Sequence, residues 1–267
     1  MGRATDSDRP GRCRSVHSSR SAPQRLVAAA ALGLALVWTG CAARSGTILA
    51  KPVLHVPRLD EPVAVDGGLN EPVYQRAACV ASFVIAGDPA RSPAATSAWL
   101  FWTADRLVFA FDCDDRTPVA SPATPDEHDV DAQDRVELFL WSGREADEYS
   151  CLELAPAGAV HDYRARFYRR FDDTWQPAGW EHAARSRPGG YAVEASLSRA
   201  ALEAMGFHLR AGERWRAGLF RADFDPAKPD RPDWITWVDA QSPQPDFHVA
   251  GAFGWLVLGG PSTSAPR

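Results

Sequence analysis

Acidic side chains are the most concentrated reactive groups in this sequence. Asp112, Asp114 and Asp115 end an apolar segment, and a second acidic run extends from Asp126 to Asp131. Carboxylate oxygens are the ligands that Ca²⁺ prefers, although the spacing here is not that of an EF-hand loop. Two interpretations stay open: a structural calcium site at the first three aspartates, or charged segments that are exposed to water.

Other residues could serve catalysis or bind haem. Glu137 and Glu153 could form the carboxylate pair of a glycosidase, but the sequence does not give their separation. No GxSxG nucleophile motif and no cysteine or histidine cluster with zinc-like spacing is present. A haem iron needs axial ligands, and the residues that could supply them are His161, His182, His208 and His248. Because the sequence shows no complete set of catalytic residues, we predict that the protein is not an enzyme.

The N-terminus carries the features of an export signal. Six arginines precede a run of twelve apolar residues at 26–37, whereas a membrane-spanning helix needs about 20. The following Gly40-Cys41 resembles the lipobox of bacterial lipoproteins, although Trp38 stands where those proteins usually have Leu. We predict removal of residues 1–40, lipidation of Cys41, a tether at 41–54, and an exported protein anchored to a cell-envelope membrane. The alternative is a cleaved secretory signal followed by an incidental cysteine.

Charge and cysteine content limit the partners and cross-links. Without residues 1–40, which hold six arginines and two aspartates, 23 basic and 32 acidic residues would remain, a net charge of about −9. This balance argues against nucleic acid as a partner, because phosphate binding requires a basic surface. Cys79, Cys113 and Cys151 would also remain, and three cysteines allow at most one disulfide.

Period-two alternation of apolar residues dominates the rest of the chain and predicts β-strands with one buried face. Residues 98–102 and 107–112 flank a polar turn and predict a hairpin with Leu107, Phe109 and Phe111 on one face. Only residues 199–205 indicate a helix, with Ser198 as its N-cap. We predict an all-β fold, a single antiparallel sandwich over residues 55–260 with one short helix, and a flexible tail at 261–267.

Several segments, taken in order, resemble carbohydrate-binding module family 9. They are VDGGLNEPVY (65–74), WLFWTADRLVFAFDCDD (99–115), DRVELFLW (134–141), LELAPAGAVHD (152–162), GGYAVEASLSRAAL (189–202) and DFHVAGAFGWLVL (246–258). The resemblance rests on agreement among many weak local signals. It implies a jelly-roll-like sandwich that holds a sugar against aromatic side chains near the strand ends, sometimes with structural calcium. The same broad fold includes haem-binding relatives of the DOMON type.

The resemblance also implies a ligand site, in which one aromatic ring stacks on the sugar and polar side chains surround it. The implied ligand-binding residues are Glu137, Glu153, Arg221, Gln244, Phe247 and His248. Arg221 shares a strand face with Ala217 and Leu219, so its guanidinium must meet either a carboxylate, such as Glu137 or Glu153, or a ligand.

One position departs from the family pattern. The second stacking position falls near Asp131, which is not aromatic. We interpret the chain as a non-catalytic domain that binds a carbohydrate or glycan. The alternatives are a haem-binding electron-transfer domain and a structural envelope protein whose ancestral site has decayed.

Overall fold

The computed structural model describes residue 13 and residues 50–124, 126–143 and 148–261. The predicted signal peptide apart from Cys13, the predicted lipidation site Cys41, the tether up to residue 49 and the tail beyond Pro261 lie outside the described residues. Within the described ranges, no helix is long and apolar enough to cross a membrane.

The described residues form fourteen β-strands, one α-helix and three 3-10 helices. The strands are β1 Val53–Arg58, β2 Ala78–Val80, β3 Val84–Ile85, β4 Thr96–Trp102, β5 Arg106–Asp114, β6 Arg135–Trp141, β7 Glu148–Leu154, β8 Val160–Arg166, β9 Arg170–Asp172, β10 Trp180–Arg187, β11 Gly190–Ser198, β12 Arg214–Asp225, β13 Lys228–Thr236 and β14 Gly254–Pro261. The helix α1 spans Arg199–Ala204, and the 3-10 helices span Pro72–Gln75, Glu127–Ala132 and Ala250–Ala252.

The strands are hydrogen-bonded in the order β10-β11-β5-β4-β1-β14-β12-β6-β7-β8-β9, with β13 beside β12 and β2 beside β4. Apolar side chains from both halves of this order, such as Phe109 and Phe111 from β5 and Leu138 and Leu140 from β6, belong to one buried cluster. The two halves therefore pack face to face as a β-sandwich, which confirms the predicted fold class.

The predicted hairpin is confirmed as β4 and β5, which pair Ala98 with Phe111 and Trp102 with Leu107. One detail of the pairing differs from the prediction. Strand β1, which the alternation did not reveal, runs parallel to both β14 and β4 and joins the two halves, so the sheet is mixed rather than wholly antiparallel.

Two local features agree with the sequence. Ser198 caps α1 by accepting a hydrogen bond from the Ala201 amide at 3.2 Å, as predicted. The turn at 66–68 is held by the buried carboxylate of Glu194, which accepts from the amides of Asp66 and Gly67 at 2.9 and 3.0 Å. Gly67 has a φ of +75°, which only glycine adopts easily.

Cysteine pairing differs from the expected set of three. Cys79 forms a disulfide with Cys13, a residue of the predicted signal peptide, whereas Cys113 and Cys151 are buried free thiols. This bond and the removal of residues 1–40 cannot both hold in one mature chain.

Candidate functional site

A row of side chains crosses strands β12, β6, β7 and β8, which belong to the half of the sandwich that also contains β14 and β9. The row lies on the face of these strands that points away from the main core. The register pairs Phe220 of β12 with Glu137 of β6, Glu137 with Glu153 of β7, and Glu153 with His161 of β8. Successive side chains on a strand point to opposite faces, so Val136 and Leu138, next to Glu137, enter the main core. The four residues of the row therefore share one surface.

This surface forms a pocket of about 290 Å³, close to the lower limit of about 300–1,000 Å³ for small-molecule sites. The pocket is lined by His128, Asp131, Arg135, Glu137, Glu153, His161, Tyr163, Arg169, Phe171, Asp173, Trp234, Pro245, Asp246, Phe247 and His248.

A buried ionic group lies at the pocket floor. The Arg135 Nε atom lies 2.9 Å from Glu137 Oε1 and 2.7 Å from Glu153 Oε2. Neither contact has hydrogen-bond geometry, so these two carboxylate oxygens are buried acceptors without a hydrogen-bond donor among the described residues. Tyr163 donates its hydroxyl to the other oxygen of Glu153 at 2.7 Å.

Two carboxylates oppose one guanidinium, and this imbalance affects protonation. Burial and the neighbouring Glu153 raise the pKa of Glu137 well above its usual range. Burial alone would lower the pKa of Arg135, but Glu153 and Glu137 outweigh it and raise that pKa. Arg135 therefore stays charged, and the floor offers both donors and acceptors to a polar ligand.

Aromatic rings form the walls of the pocket. Trp234 of β13 is partly exposed, and the Arg135 guanidinium lies 5.7 Å from its ring centre. Phe171 of β9 is 46% exposed and meets Tyr163 edge-on, with ring centres 5.5 Å apart. Exposed rings of this kind can pack against the C–H face of a sugar.

Phe247 is placed differently from these two rings. It lines the pocket but is only 5% exposed, and it stacks on Phe220 with ring centres 4.2 Å apart. Trp234 meets Phe247 edge-on at 5.4 Å. Most of the Phe247 ring therefore supports the pocket from below.

The loop that leads to Phe247 contributes Pro245 and Asp246 to the lining of the pocket. The Asp246 carboxylate pairs with Arg169 at 2.9 Å and accepts from the His248 amide at 2.9 Å. His248 Nδ1 lies 2.9 Å from the Tyr149 hydroxyl. Burial, followed by the nearby Arg169, lowers the pKa of His248 to about 4, so its ring is neutral near pH 7.

One known protein family matches most of the chain. The family described as carbohydrate family 9 binding domain-like matches residues 65–261. The chain belongs to this family. A search of curated proteins finds no match to the sequence.

Solved structures share the fold of this family 9-like domain at 15% sequence identity. A candidate carbohydrate-binding protein from Bacteroides uniformis has a TM-score of 0.64, with 78% of this chain and 100% of that chain covered. A family 9 module from Caldicellulosiruptor kristjanssonii in complex with cellotriose has a TM-score of 0.54, with 81% and 99% covered. The glucose complex from the same organism has a TM-score of 0.53, with 80% and 100% covered.

The pocket of this family 9-like domain is lined by four of the six residues predicted to bind a ligand, namely Glu137, Glu153, Phe247 and His248. Gln244 is exposed and lies just before the loop residues that line the pocket. Asp131, at the position where the second stacking ring was expected, also lines the pocket. Trp234 and Phe171 supply aromatic walls instead.

The predicted placement of Arg221 beside Glu137 is wrong. Arg221 pairs in register with Val136, so its side chain points into the sandwich, on the face opposite the pocket. Its guanidinium is fully buried and pairs with Asp223 at 2.7 Å and Asp115 at 3.4 Å, rather than with Glu137 or Glu153. Alternation along β12 correctly predicted that Arg221 lies on a buried face, but it did not show that this face packs into the core.

The three aspartates predicted to bind calcium do not share one site. Asp112 and Asp114 both pair with Arg187, at 2.7 and 2.8 Å. Asp115 lies in a different group, beside Asp134 and Asp223. Strand β5 ends at Asp114, and Asp115 is the next residue, so alternation directs its side chain to the opposite face.

The four histidines considered as haem ligands are also divided. His161 and His248 line the pocket, whereas His182 lies on β10 in the other half of the sandwich. His208 lies in the segment between α1 and β12. Arg135, Tyr163, Phe171 and Trp234 were missed, because alternation along a strand does not show which of its two faces lines a pocket.

Proposed function

We propose that this domain binds a carbohydrate in the pocket without catalysing a reaction. The observation that carries the proposal is the combination of exposed aromatic walls, Trp234 and Phe171, with a buried floor of charged groups. A pyranose has apolar C–H faces and a rim of hydroxyl groups. Rings at the side and mixed donors and acceptors below match both features.

The floor argues against glycoside hydrolysis. A retaining glycosidase places its two carboxyl groups about 5–5.5 Å apart on either side of the scissile bond. In this domain, Arg135 Nε touches both Glu137 and Glu153, at 2.9 and 2.7 Å, so a guanidinium occupies the space between them. This position of the guanidinium supports a role for the pair in binding a ligand by hydrogen bonds rather than in attacking one.

The solved structures suggest which sugars to test first. The two Caldicellulosiruptor kristjanssonii structures contain cellotriose and glucose. We therefore propose that glucose-containing glycans are the ligands of this domain.

Calorimetric titration of the purified chain with cellotriose and glucose tests the proposal. We expect Trp234→Ala to weaken binding by about 1–3 kcal/mol, the range for losing an aromatic contact at a binding hot spot. Trp180→Ala is the matched control, because Trp180 is also partly buried but lies on β10 in the other half of the sandwich. Equal affinity of the two variants would move the site away from Trp234. Absence of binding across a glycan array would reject the carbohydrate function, and release of reducing sugar would reject its non-catalytic character.

We also propose that the domain is exported and anchored to a cell-envelope membrane through Cys41. The arginine-rich residues 1–25, the apolar residues 26–37 and Gly40-Cys41 support this. Intact-mass analysis of membrane-extracted protein should give an acylated chain that starts at Cys41, with Cys79 as a free thiol. A chain that retains the bond between Cys13 and Cys79 would overturn the anchor.

A further inference from the structure

Two histidines and two aspartates form a cluster on one side of the pocket. His128 and Asp131 lie one turn apart on the 3-10 helix Glu127–Ala132, His161 lies on β8, and Asp173 follows β9. A 3-10 helix has three residues per turn, so the side chains of His128 and Asp131 lie on one side of it. Three separate elements therefore converge on this cluster.

The two imidazole rings lie between the two carboxylates. His161 Nδ1 and His128 Nδ1 lie 3.0 and 3.3 Å from the two oxygens of Asp131. On the opposite side of the rings, His161 Nε2 and His128 Nε2 each lie 3.8 Å from an oxygen of Asp173. The ring centres are 4.7 Å apart.

Hydrogen bonding at Asp131 determines which nitrogen atoms are left to bind a cation. A carboxylate only accepts, so each Nδ1 that bonds to Asp131 carries the hydrogen atom, and each neutral ring keeps its lone pair at Nε2. Both lone pairs then face the Asp173 carboxylate, which is another acceptor. Acceptors that face each other at this distance are stabilised by a cation between them.

One of these nitrogen atoms, His161 Nε2, also lacks a hydrogen-bond partner among the described residues. The His161 side chain is only 6% exposed, and its Nε2 is buried without a hydrogen-bond partner among the described residues. A buried polar atom with no partner destabilises the fold and is uncommon in native proteins. This atom is directed at Asp173, where a cation would satisfy it.

The cluster is held in place by contacts outside it. The Glu127 carboxylate accepts from the Asp162 amide at 3.2 Å and from the Gln176 side chain at 3.0 Å. These bonds fix the 3-10 helix against β8 and the loop after β9, so the positions of the histidines do not depend on a bound ion.

We propose that His128 Nε2, His161 Nε2 and Asp173 bind a divalent transition-metal ion of the zinc class, with Asp131 orienting both rings. Two imidazoles and one carboxylate suit Zn²⁺, Co²⁺ or Ni²⁺ better than Ca²⁺, which takes six to eight oxygen ligands. A carboxylate that accepts from the second nitrogen of a metal-bound histidine is the usual outer partner in such sites. Each Nε2 atom lies 3.8 Å from a different oxygen of Asp173, whereas neighbouring ligands of one tetrahedral zinc ion lie about 3.4 Å apart, so the three side chains must move closer together to bind one ion.

Three protein ligands leave at least one coordination position open. All four residues of the cluster line the pocket, so the open position faces the space proposed for the carbohydrate. Sequence spacing gave no sign of this site, because its ligands lie far apart in the sequence and only the fold brings their three elements together.

Titration calorimetry with ZnCl₂ on untagged, EDTA-treated protein tests the proposal, and the visible absorption spectrum of added Co²⁺ reports the coordination. We expect one ion per chain, loss of this binding in His161→Gln and in Asp173→Asn, and affinity that is about 10–100-fold lower in Asp131→Asn. His128→Gln should also lose binding, and its side chain is 57% exposed, so this variant tests the site without disturbing the core.

The control is His182→Gln, which lies on β10 and should bind zinc as the unaltered chain does. Absence of saturable zinc binding, or equal affinity in His128→Gln and the unaltered chain, would overturn the proposal and leave two protonated imidazoles as the cation between the carboxylates. The titration requires no sugar, so its outcome is independent of the carbohydrate function.

Discussion

Two buried arginines lie on neighbouring strands and point in opposite directions. Arg221 of β12 is aligned with Val136, and Arg135 of β6 is aligned with Ala222, so the two are one residue apart across the same pair of strands. Each meets two carboxylates: Asp223 and Asp115 for Arg221, Glu137 and Glu153 for Arg135. Alternation along the strands places Arg221 inside the sandwich and Arg135 in the pocket.

The two arginines differ in whether their guanidinium groups form hydrogen bonds with the neighbouring carboxylates. Both terminal nitrogens of Arg221 donate within the core, Nη1 to Thr96 at 3.1 Å and Nη2 to Asp223 at 2.7 Å. Arg135 donates Nη1 to the Asp131 carbonyl at 3.0 Å, whereas its carboxylate contacts lack hydrogen-bond geometry and face the pocket. Similar groups therefore stabilise the fold on one face of the strands and remain available to a ligand on the other.

Removal of the inner arginine should give the largest effect. In Arg221→Met, Asp223 and Asp115 lose their cation inside the sandwich, so we expect the free energy of unfolding to fall by about 3–5 kcal/mol at pH 7. Urea unfolding measures this loss. Carbohydrate affinity, measured on the folded fraction, should be unchanged. A loss below about 1 kcal/mol would show that the inner group does not stabilise the fold.

Phe247→Ala should also act mainly on stability, although Phe247 lies on the pocket side. The ring is buried against Phe220 and Trp234, and deletion of a buried phenylalanine side chain costs about 3–5 kcal/mol. Thermal unfolding of Phe247→Ala and Trp234→Ala compares the two rings. We expect the melting temperature to fall much further in Phe247→Ala. The reverse order would make Trp234 the structural ring and Phe247 the ligand contact.

The fold was predictable because its signals are local. The hairpin β4–β5 follows from alternation on both sides of a polar turn, and α1 follows from Ser198 and the apolar residues after it. Strand β1 was missed because its partners, β14 and β4, lie far away in sequence. Its parallel pairing leaves no turn in the sequence that could mark it.

The site was predictable only in part, because its geometry depends on long-range register. Glu137 and Glu153 alternate correctly with core residues, and both reach the pocket. Arg221 satisfies the same pattern, but its strand presents that set of residues to the core. Trp234 reaches the pocket through the hairpin of β12 and β13, in which it pairs with Ala222, and the register shift between Asp223 and Asp225 could not be predicted from alternation.

The outer arginine should control affinity more than stability. Arg135→Lys keeps the charge that balances Glu137 and Glu153 but removes the planar guanidinium, which alone presents several donors in fixed directions. We expect carbohydrate affinity to fall at least tenfold, or about 1.4–3 kcal/mol, by calorimetry. The matched variant Arg221→Lys should bind as the unaltered chain does. Equal affinity of both variants would place the ligand away from the Arg135 floor.

An effect that appears only at acidic pH should come from His248, a pocket residue whose imidazole ring is neutral in the folded chain. Its pKa is lowered to about 4 from an ordinary value of 6.5, mainly by burial, so below pH 6.5 the unfolded chain binds a proton that the folded chain does not. The stabilising contribution is complete above pH 6.5 and decreases as the pH falls towards 4. We therefore expect the free energy of unfolding to fall by about 2–3 kcal/mol more in the unaltered chain than in His248→Gln between pH 7 and pH 4.

Glutamine can still accept a hydrogen bond from the Tyr149 hydroxyl, which lies 2.9 Å from His248 Nδ1, so the variant removes the titration while keeping an acceptor. Urea unfolding of both proteins at several pH values measures the difference, and the values near pH 8 serve as the reference because both side chains are neutral there. The sign identifies the cause: a neutral buried ring stabilises the fold at high pH only, whereas an imidazolium paired with Asp246 would stabilise it at low pH. A difference that stays constant from pH 8 to pH 4 would mean that His248 titrates as it does in the unfolded chain and that the pocket admits water around its ring.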